Sequence, residues 1–519
     1  MRRPLVCWLL ITALCLTVDL QAQSGAKAAA RKLRSAIRAI DVSAESGGDA
    51  VAAVKAMQAF DGRVGARALL DGVEELERRV SELCETRRKG LARAGGSGRL
   101  KRSRYELRNL NDAREAAAAA LAALQDQAAL GVIASRIVAR GGALPLWLRL
   151  QLARRMADLA KVELDWERRG EKTDDVDATL ALIHAATALG ARAGEACGGW
   201  LVGALGHDLR DVRVAAAAAL ARLAWPGALE PLIDGLERVD GDERERLLDA
   251  LVVLTGQNPG ASAGSWRAWL AQEGGPFLAG ERALSRGDAS TRQSDPDANT
   301  AAGSYFGIEQ RGEGILYVFD NSLSMKAALK KPAKGGGPTT GTGADTRWTR
   351  CKQELSRGLR ALRPEQRFNL VSFANKARSF EPAMQPATPE NVARAIEWIY
   401  GLKLEFQTNV FDALELAFQL AGRGVGDRYY APSVDTMFFL SDGAPTIANL
   451  KAAGITQDDS ERILRAVGRW NAMGRIQIHA VALGLQKRKK DRNNKGRLYP
   501  YTFLRLLAEQ NGGELAWTR

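Results

Sequence analysis

Apolar residues recur at helical spacing through the first quarter of the chain. Five of them follow one another at alternating four- and three-residue steps, as along the seam of packed helices: Leu69, Val73, Leu76, Val80 and Leu83. Residues 26–140 contain no proline and are rich in Ala, Leu, Arg and Glu, which favours long helices. The glycine-rich stretch Ala92–Arg102 predicts a break, and Ala113–Ala139 a second helix. We therefore expect a coiled-coil-like helical hairpin that acts as a spacer.

Shorter paired helices are predicted over residues 144–274. The run Asp211–Leu223 is followed by a Trp-Pro-Gly turn and by Leu229–Leu236, and similar patterns occur over Asp177–Leu205 and Arg244–Leu270. Their spacing of roughly 30 to 35 residues is typical of helical solenoids. The region resembles HEAT-type repeats, most clearly in the first pair named. Such a surface either binds a protein or packs against the next domain.

The first residues have the pattern of a secretory signal. Arg2 and Arg3 precede an apolar run, Leu5–Val18, and a polar stretch, Asp19–Ser24, follows it. A run of about 14 apolar residues is too short to span a bilayer. We predict a signal peptide over residues 1–24 and a protein exported to a periplasm, a cell surface or the medium. An uncleaved anchor is the alternative, and no later segment is apolar enough to predict a membrane span after cleavage.

The pattern changes after residues 280–303, whose Ser, Asp, Asn, Thr and Gly content predicts a linker. Beyond it, short apolar runs typical of buried strands alternate with helical patterns. The strand patterns are Ile315–Phe319, Phe368–Phe373, Thr436–Leu440 and Ile476–Leu483. The helical patterns are Thr349–Leu362, Asn391–Tyr400, Val410–Leu420, Asp459–Ala472 and Tyr501–Gln510. This alternation predicts a doubly wound, Rossmann-like α/β domain with a mostly parallel sheet.

Hydroxyl and carboxylate side chains stand where these strands end. Asp320, Ser322 and Ser324 leave the first strand at alternate positions, Thr408 precedes a helix, and Asp442 follows the third strand. The carboxyl ends of parallel strands meet at the edge where α/β sheets bind ligands. Oxygen donors without thiolate or imidazole suit Mg²⁺, with Mn²⁺ or Ca²⁺ as alternatives. Two protein charges would leave positions of the ion open for water or for a partner's carboxylate.

Each of these residues also has a local explanation when it is taken singly. Asp320 and Ser322 could cap the following helix, and Asp442 could form an Asx turn with Gly443. Capping of single residues does not explain why five hydroxyl and carboxylate residues stand at the ends of successive elements. The metal site is therefore the interpretation we develop.

Residues 312–519 resemble a von Willebrand factor type A domain. The Asp-x-Ser-x-Ser, Thr-Asn-x-x-Asp-Ala-Leu and Ser-Asp-Gly runs occur in that family's order, between strands of the expected kind. The resemblance implies a metal-ion-dependent adhesion site made of the same five residues, with the hydroxyls close to the ion. It implies that the aspartates act largely through water and that an acidic residue of a protein ligand completes the shell. Leu323 and the pair Phe406–Gln407 stand where that family commonly has glycine.

Two basic loops are expected beside this site. Lys326–Arg347 contains four lysines, and Lys487–Arg497 follows the strand that ends at Leu483. Their charges predict a positive rim that attracts an acidic partner. The rim residues are Lys330, Lys331, Lys487, Arg488, Lys489 and Lys490. The alternative is that these loops are solvated and bind no partner, because most runs of charged residues are only hydrated surface segments.

The composition and the absence of known catalytic motifs narrow the range of functions that the sequence allows. The 74 Lys and Arg residues exceed the 60 Asp and Glu residues, which gives a formal net charge of +14. This excess does not indicate a nucleic-acid site, because the basic loop Lys487–Arg497 lacks the interleaved aromatic residues that such a site uses. The three histidines form no HExxH motif, and no GxSxG or Walker loop occurs. We predict a non-enzymatic binding protein that uses a divalent metal to bind a protein ligand. The alternatives are a metal-dependent hydrolase and a scaffold whose helical repeats do the binding.

Overall fold

The described residues of the computed structural model form two compact units. One unit contains the described residues between 24 and 238 and between 246 and 279, and the other contains those between 239 and 245 and between 303 and 518. The predicted signal peptide, apart from Ser24, and the predicted linker, apart from Gly303, lie outside the described residues. The structure describes residues 24–91, 97–137, 139, 144–158, 175–239, 241–279, 303–329, 346–422, 433–443, 459–487, 490–493 and 498–518.

The first part of the chain is helical. Its helices are residues 24–39, Ala44–Met57, Arg63–Leu91, Ser97–Ala123, Gln127–Ile137, Leu146–Asp158, Val176–Leu189, Gly194–Ala204, Arg210–Leu223, Leu229–Gly235, Gly241–Thr255, Ala263–Glu273 and Gly275–Leu278. The apolar seam lies on Arg63–Leu91, where Leu69, Val73 and Leu76 are fully buried, and this helix packs against Ser97–Ala123. The predicted helix pairs between residues 176 and 273 are present, whereas their HEAT-type character stays a prediction.

Two details of the helical prediction are wrong. The second long helix begins at Ser97, within the stretch predicted as a break, and residues 92–96 lie outside the described residues. The predicted helix Ala113–Ala139 is divided, because one helix ends at Ala123 and the next begins at Gln127. The carboxylate of Asp126 accepts the N–H of Ala129 at 2.8 Å and so caps the second of these helices. No glycine or proline marks this break in the sequence.

The strands of the second unit, among the described residues, are β1 (Ser304–Tyr305), β2 (Ile308–Glu309), β3 (Gly314–Asp320), β4 (Arg367–Phe373), β5 (Ala377–Ser379), β6 (Gln385–Pro386), β7 (Thr436–Ser441), β8 (Gln477–Leu483) and β9 (Leu515–Thr518). Strands β3 to β9 form a seven-stranded mixed sheet with strand order β5-β4-β3-β7-β8-β9 and with β6 paired to β4. Strands β3, β4, β7, β8 and β9 are parallel neighbours, and β5 and β6 run antiparallel to β4. The four predicted strands are each confirmed to within one residue.

Helices pack on both faces of the sheet, as the alternation predicts. Successive residues of a strand point to opposite faces, so Leu316 and Val318 of β3 enter one core while Ile315, Tyr317 and Phe319 enter the other. Arg347–Arg360 and Pro389–Gly401 contribute to the core with Tyr317. Val410–Leu420, Asp459–Trp470 and Pro500–Glu509 contribute to the core with Val318. Burial on both faces explains why the strands read as continuous apolar runs.

The order of the strands determines where a ligand is expected. After β3 the chain crosses to β4 on one side and then returns past β3 to β7 on the other. The carboxyl ends of β3 and β7 therefore lie at a switch point of the sheet, where α/β folds leave a crevice. Among the described residues, no helix combines the length and the apolar character needed to cross a bilayer.

Candidate metal centre

Asp320 ends β3 and is fully buried. One carboxylate oxygen, Oδ1, accepts the backbone N–H of Ser322 at 2.7 Å, and Oδ2 accepts the hydroxyl of Ser441 at 2.9 Å. The first bond is local, because the carboxylate accepts the N–H two residues further along the chain, as in an Asx turn. The second depends on the parallel pairing of β3 with β7, which brings their carboxyl ends together. Asp320 is thus oriented by its own loop and by the neighbouring strand.

The two serines of the loop after β3 lie side by side. The Oγ atoms of Ser322 and Ser324 are 2.8 Å apart, and Ser324 Oγ donates to Asp442 Oδ1 at 2.7 Å. Ser322 precedes the short 3-10 turn Leu323–Lys326 without a side-chain capping bond, so capping does not explain this residue. The hydroxyls instead bridge the ends of two strands.

Asp442 follows β7, and its side chain is fully buried. Its Oδ1 accepts from Ser324, and its Oδ2 lies 2.7 Å from Nη1 of Arg347. The N–H of Gly443 is bonded to the hydroxyl of Ser441 at 3.3 Å. The carboxylate of Asp442 is therefore directed into the cluster rather than into a turn with Gly443.

Thr408 is buried in the segment that leads into Val410–Leu420. Backbone bonds hold this segment against the loop after β3, since Glu405 N–H donates to Asn321 O at 3.0 Å and Leu323 N–H donates to Glu405 O at 2.8 Å. At the other end of the segment, Asn409 N–H donates to the carbonyl of Ala374, just after β4. Hydrogen bonds connect the other four predicted ligands in series, from Asp320 through the two serines to Asp442. Thr408 is brought to the same edge of the sheet by the backbone bonds of its neighbours.

Sequence reasoning missed two residues of this cluster, Ser441 and Arg347. Ser441 is the serine of the Ser-Asp-Gly run, so its position at the end of β7 was a usable signal. Arg347 stands at the end of a basic loop, 95 residues before the aspartate it contacts. Nothing local in the sequence distinguishes it from the other cations of that loop.

The electrostatics of the cluster fit a cation. Burial, together with the negative charge of Asp442, raises the pKa of Asp320 from 3.8 to about 7, against the opposing effect of its hydrogen bonds. The negative charges of Asp320 and Asp442 repel each other, and a divalent ion among their oxygens would relieve that repulsion. No group of three or more His, Cys, Asp or Glu side chains suited to a metal occurs in the described residues. The centre would rest on two carboxylates and on hydroxyls, an oxygen set that fits Mg²⁺.

The surface around the cluster is apolar on one side. The side chains of Leu323 and Phe406 are 39% and 75% exposed, and the backbone contact between Leu323 and Glu405 holds their two loops together. Of the predicted basic rim, Lys487 and Lys490 are exposed after β8. The other rim residues, Lys330, Lys331, Arg488 and Lys489, lie outside the described residues.

Comparisons with known proteins find partial similarity. No family model matches the chain. The human inter-alpha-trypsin inhibitor heavy chain H4 is 26% identical over 208 residues, which is 40% of this chain and 18% of the relative. Solved structures with similarity include a von Willebrand factor type A protein from Catenulispora acidiphila, 15% identical over 40% of this chain and 38% of its own, with a TM-score of 0.27. Proximal thread matrix protein 1 from the mussel byssus, solved with zinc in its MIDAS motif, is 15% identical over 40% of this chain and 41% of its own, with a TM-score of 0.25.

Proposed function

We propose that the chain is an exported, non-enzymatic binding protein whose α/β unit holds a divalent ion and uses it to bind a protein ligand. The observation that carries the proposal is the convergence of Asp320, Ser322, Ser324 and Asp442 at the carboxyl ends of β3 and β7. With Thr408 at the same edge, these residues are the five that correspond to the adhesion site of the von Willebrand type A family. Mg²⁺ is the ion we favour, with Mn²⁺ or Ca²⁺ as alternatives.

Each residue has a task in this proposal. The hydroxyls of Ser322, Ser324 and Thr408 would hold the ion, and Asp320 and Asp442 would balance its charge largely through water. An ion held by few protein charges attracts a carboxylate, so an acidic side chain of the ligand would complete its shell. The bonds from Ser441 and from the Ser322 N–H keep Asp320 in place for this role.

The surface beside the cluster supports a macromolecular ligand. Leu323 and Phe406 are 39% and 75% exposed on loops that a backbone hydrogen bond joins, and an exposed apolar patch beside a polar site is expected where a protein binds. The basic rim would speed association with an acidic partner. The remaining regions keep their predicted roles in the proposal: signal peptide 1–24, helical spacer 26–140, HEAT-like repeats 144–274, linker 280–303 and the von Willebrand type A unit 312–519.

Calorimetric titration of Mg²⁺, Mn²⁺ and Ca²⁺ into the full chain tests the metal centre. We expect saturable binding by the wild type and its loss in the double variant Asp320→Ala, Ser322→Ala. The matched control is Glu365→Ala, which removes a carboxylate with a 63% exposed side chain elsewhere in the same unit. Equal metal affinity in the wild type and the double variant would refute the assignment of these residues.

A further inference from the structure

Arg347 occupies a defined place inside the proposed metal centre. Its Nη1 lies 2.7 Å from Asp442 Oδ2, and its Nη2 donates to the carbonyl of Gly484 at 3.0 Å, just beyond β8. Its side chain is only 19% exposed. The guanidinium therefore bridges the loops after β7 and β8 as a fixed positive charge.

The surroundings of Arg347 are shaped to hold it there. It is the first residue of the helix Arg347–Arg360, whose start is fixed by a capping box between Thr346 and Thr349. Its backbone N–H donates to the carbonyl of Ala327 at 2.9 Å, which ties the helix to the segment that follows the serine loop. The position of the side chain thus follows from the start of the helix.

Gly484 completes this arrangement. Its φ of +66° is in the left-handed region, and a Cβ atom there would lie 2.3 Å from Nε of Arg347. Any other residue would displace the guanidinium. Nε itself is buried and has no hydrogen-bond partner among the described residues, so Asp442 and Gly484 provide the bonds that orient this side chain.

From this geometry we infer that Arg347 is a tethered cation that competes with the divalent ion for Asp442 and so sets the metal affinity of the site. The inference rests on the proposed function and deepens it. A guanidinium bonded to Asp442 neutralises one of the two carboxylates that would attract the ion. A divalent ion near that carboxylate must either displace the guanidinium or bind against its positive charge. Arg347 thus lowers the affinity of the site for the ion.

The test is metal titration of the full chain with Arg347→Gln, Arg347→Met and Arg347→Lys beside the wild type. We expect the two uncharged variants to bind Mn²⁺ and Mg²⁺ roughly tenfold more tightly than the wild type, because a positive charge bonded to the carboxylate of Asp442 is removed. Arg347→Lys keeps the positive charge and should bind with an affinity between these limits. The control is Arg350→Gln, one turn along the same helix, which pairs with Glu354 at 3.0 Å and should leave the affinity unchanged.

A thermal-unfolding readout covers the case in which the variants are less stable. Removal of Arg347 leaves Asp442 as a buried charge without its cation, so the metal-free variants should unfold at a lower temperature. Added Mn²⁺ should then raise their Tm more than it raises that of the wild type. Equal or weaker metal affinity in Arg347→Gln and Arg347→Met, with binding by the wild type retained, would overturn this inference and leave the proposed function standing. Absence of metal binding in the wild type and in all variants would overturn both.

Discussion

Gln407 shows how the segment before Thr408 is held. Its φ of +73° lies in the left-handed region, which costs an L-residue about 1–2 kcal/mol relative to ordinary helical backbone. The backbone bonds of Glu405 and Asn409 fix the segment on either side, so the residue between them has to adopt this conformation.

Replacement of Gln407 by glycine should therefore stabilise the fold. Glycine removes the left-handed strain but loses more conformational entropy on folding, so we expect a net gain of about 0.5–1 kcal/mol in the free energy of unfolding. Chemical denaturation with a constant m-value is the measurement. Gln407→Ala, which keeps the Cβ and therefore the strain, is the control and should give no gain. A glycine variant less stable than the alanine variant would contradict the account.

The residues of the cluster differ in how far the sequence could identify them. Asp320, Ser322 and Ser324 stand together in one run after a clear strand, and Asp442 follows another, so sheet topology alone predicts that they meet. Arg347 reaches Asp442 only because a helix start and a glycine 137 residues further along the chain place its guanidinium. Contacts that depend on such an arrangement leave no periodic pattern in the sequence, and this is why the arginine was missed.

At the scale of elements, the fully buried strands were predictable and the exposed ones were not. The strand β3 is buried at every residue and reads as one apolar run bounded by Gly314 and Asp320. In contrast, β9 is half-buried at all four residues, and β5 has only three residues and no buried position. Strands of this kind are formed by pairing with a neighbour, so the pattern of their own side chains carries little information.

The attachment of β9 to β8 depends in part on His479. Its imidazole stacks on Phe438 with ring centroids 5.0 Å apart, and its Nδ1 accepts the N–H of Glu514 at 3.0 Å, directly before β9. Burial, together with the positive charge of Arg311, lowers the pKa of His479 from 6.5 to about 4. The accepting nitrogen has to be neutral for this bond to form.

The low pKa of His479 gives a pH dependence of defined sign. Between pH 6.5 and 4 the unfolded chain binds a proton at this histidine and the folded chain does not, so the contribution of His479 to stability falls as the pH falls through this window. The loss is on the order of 3 kcal/mol, and above pH 6.5 the contribution is constant. Chemical denaturation of the wild type and of His479→Gln across pH 4 to 7 is the measurement. The free energy of unfolding of the wild type minus that of the variant should fall by about this amount between pH 6.5 and 4, because the opposite contribution of Asp320 is common to both proteins and cancels in the difference. Parallel curves would refute the assignment.

At the scale of the whole molecule, the helical unit and the α/β unit each have a core of their own. The proposed ion site lies entirely within the α/β unit, in the loops after β3 and β7 and in the segment before Val410–Leu420. An ion that binds only the folded state stabilises the unit that contains its site. All five proposed ligands belong to the α/β unit, so we expect the stability of the helical unit to be independent of the ion.

Calorimetric unfolding of the full chain with and without Mg²⁺ separates the two units on this basis. An ion at about 100 times its Kd stabilises the folded α/β unit by about 2.7 kcal/mol, which raises the Tm of a unit of this size by roughly 5 to 10 °C. We expect one transition to move by this amount and the other to stay in place. In the Asp320→Ala, Ser322→Ala variant neither transition should move. If both transitions moved together in the wild type, the two units would unfold as one cooperative body. The ion would then stabilise the helical unit as well, and the expected independence of the two units would be wrong.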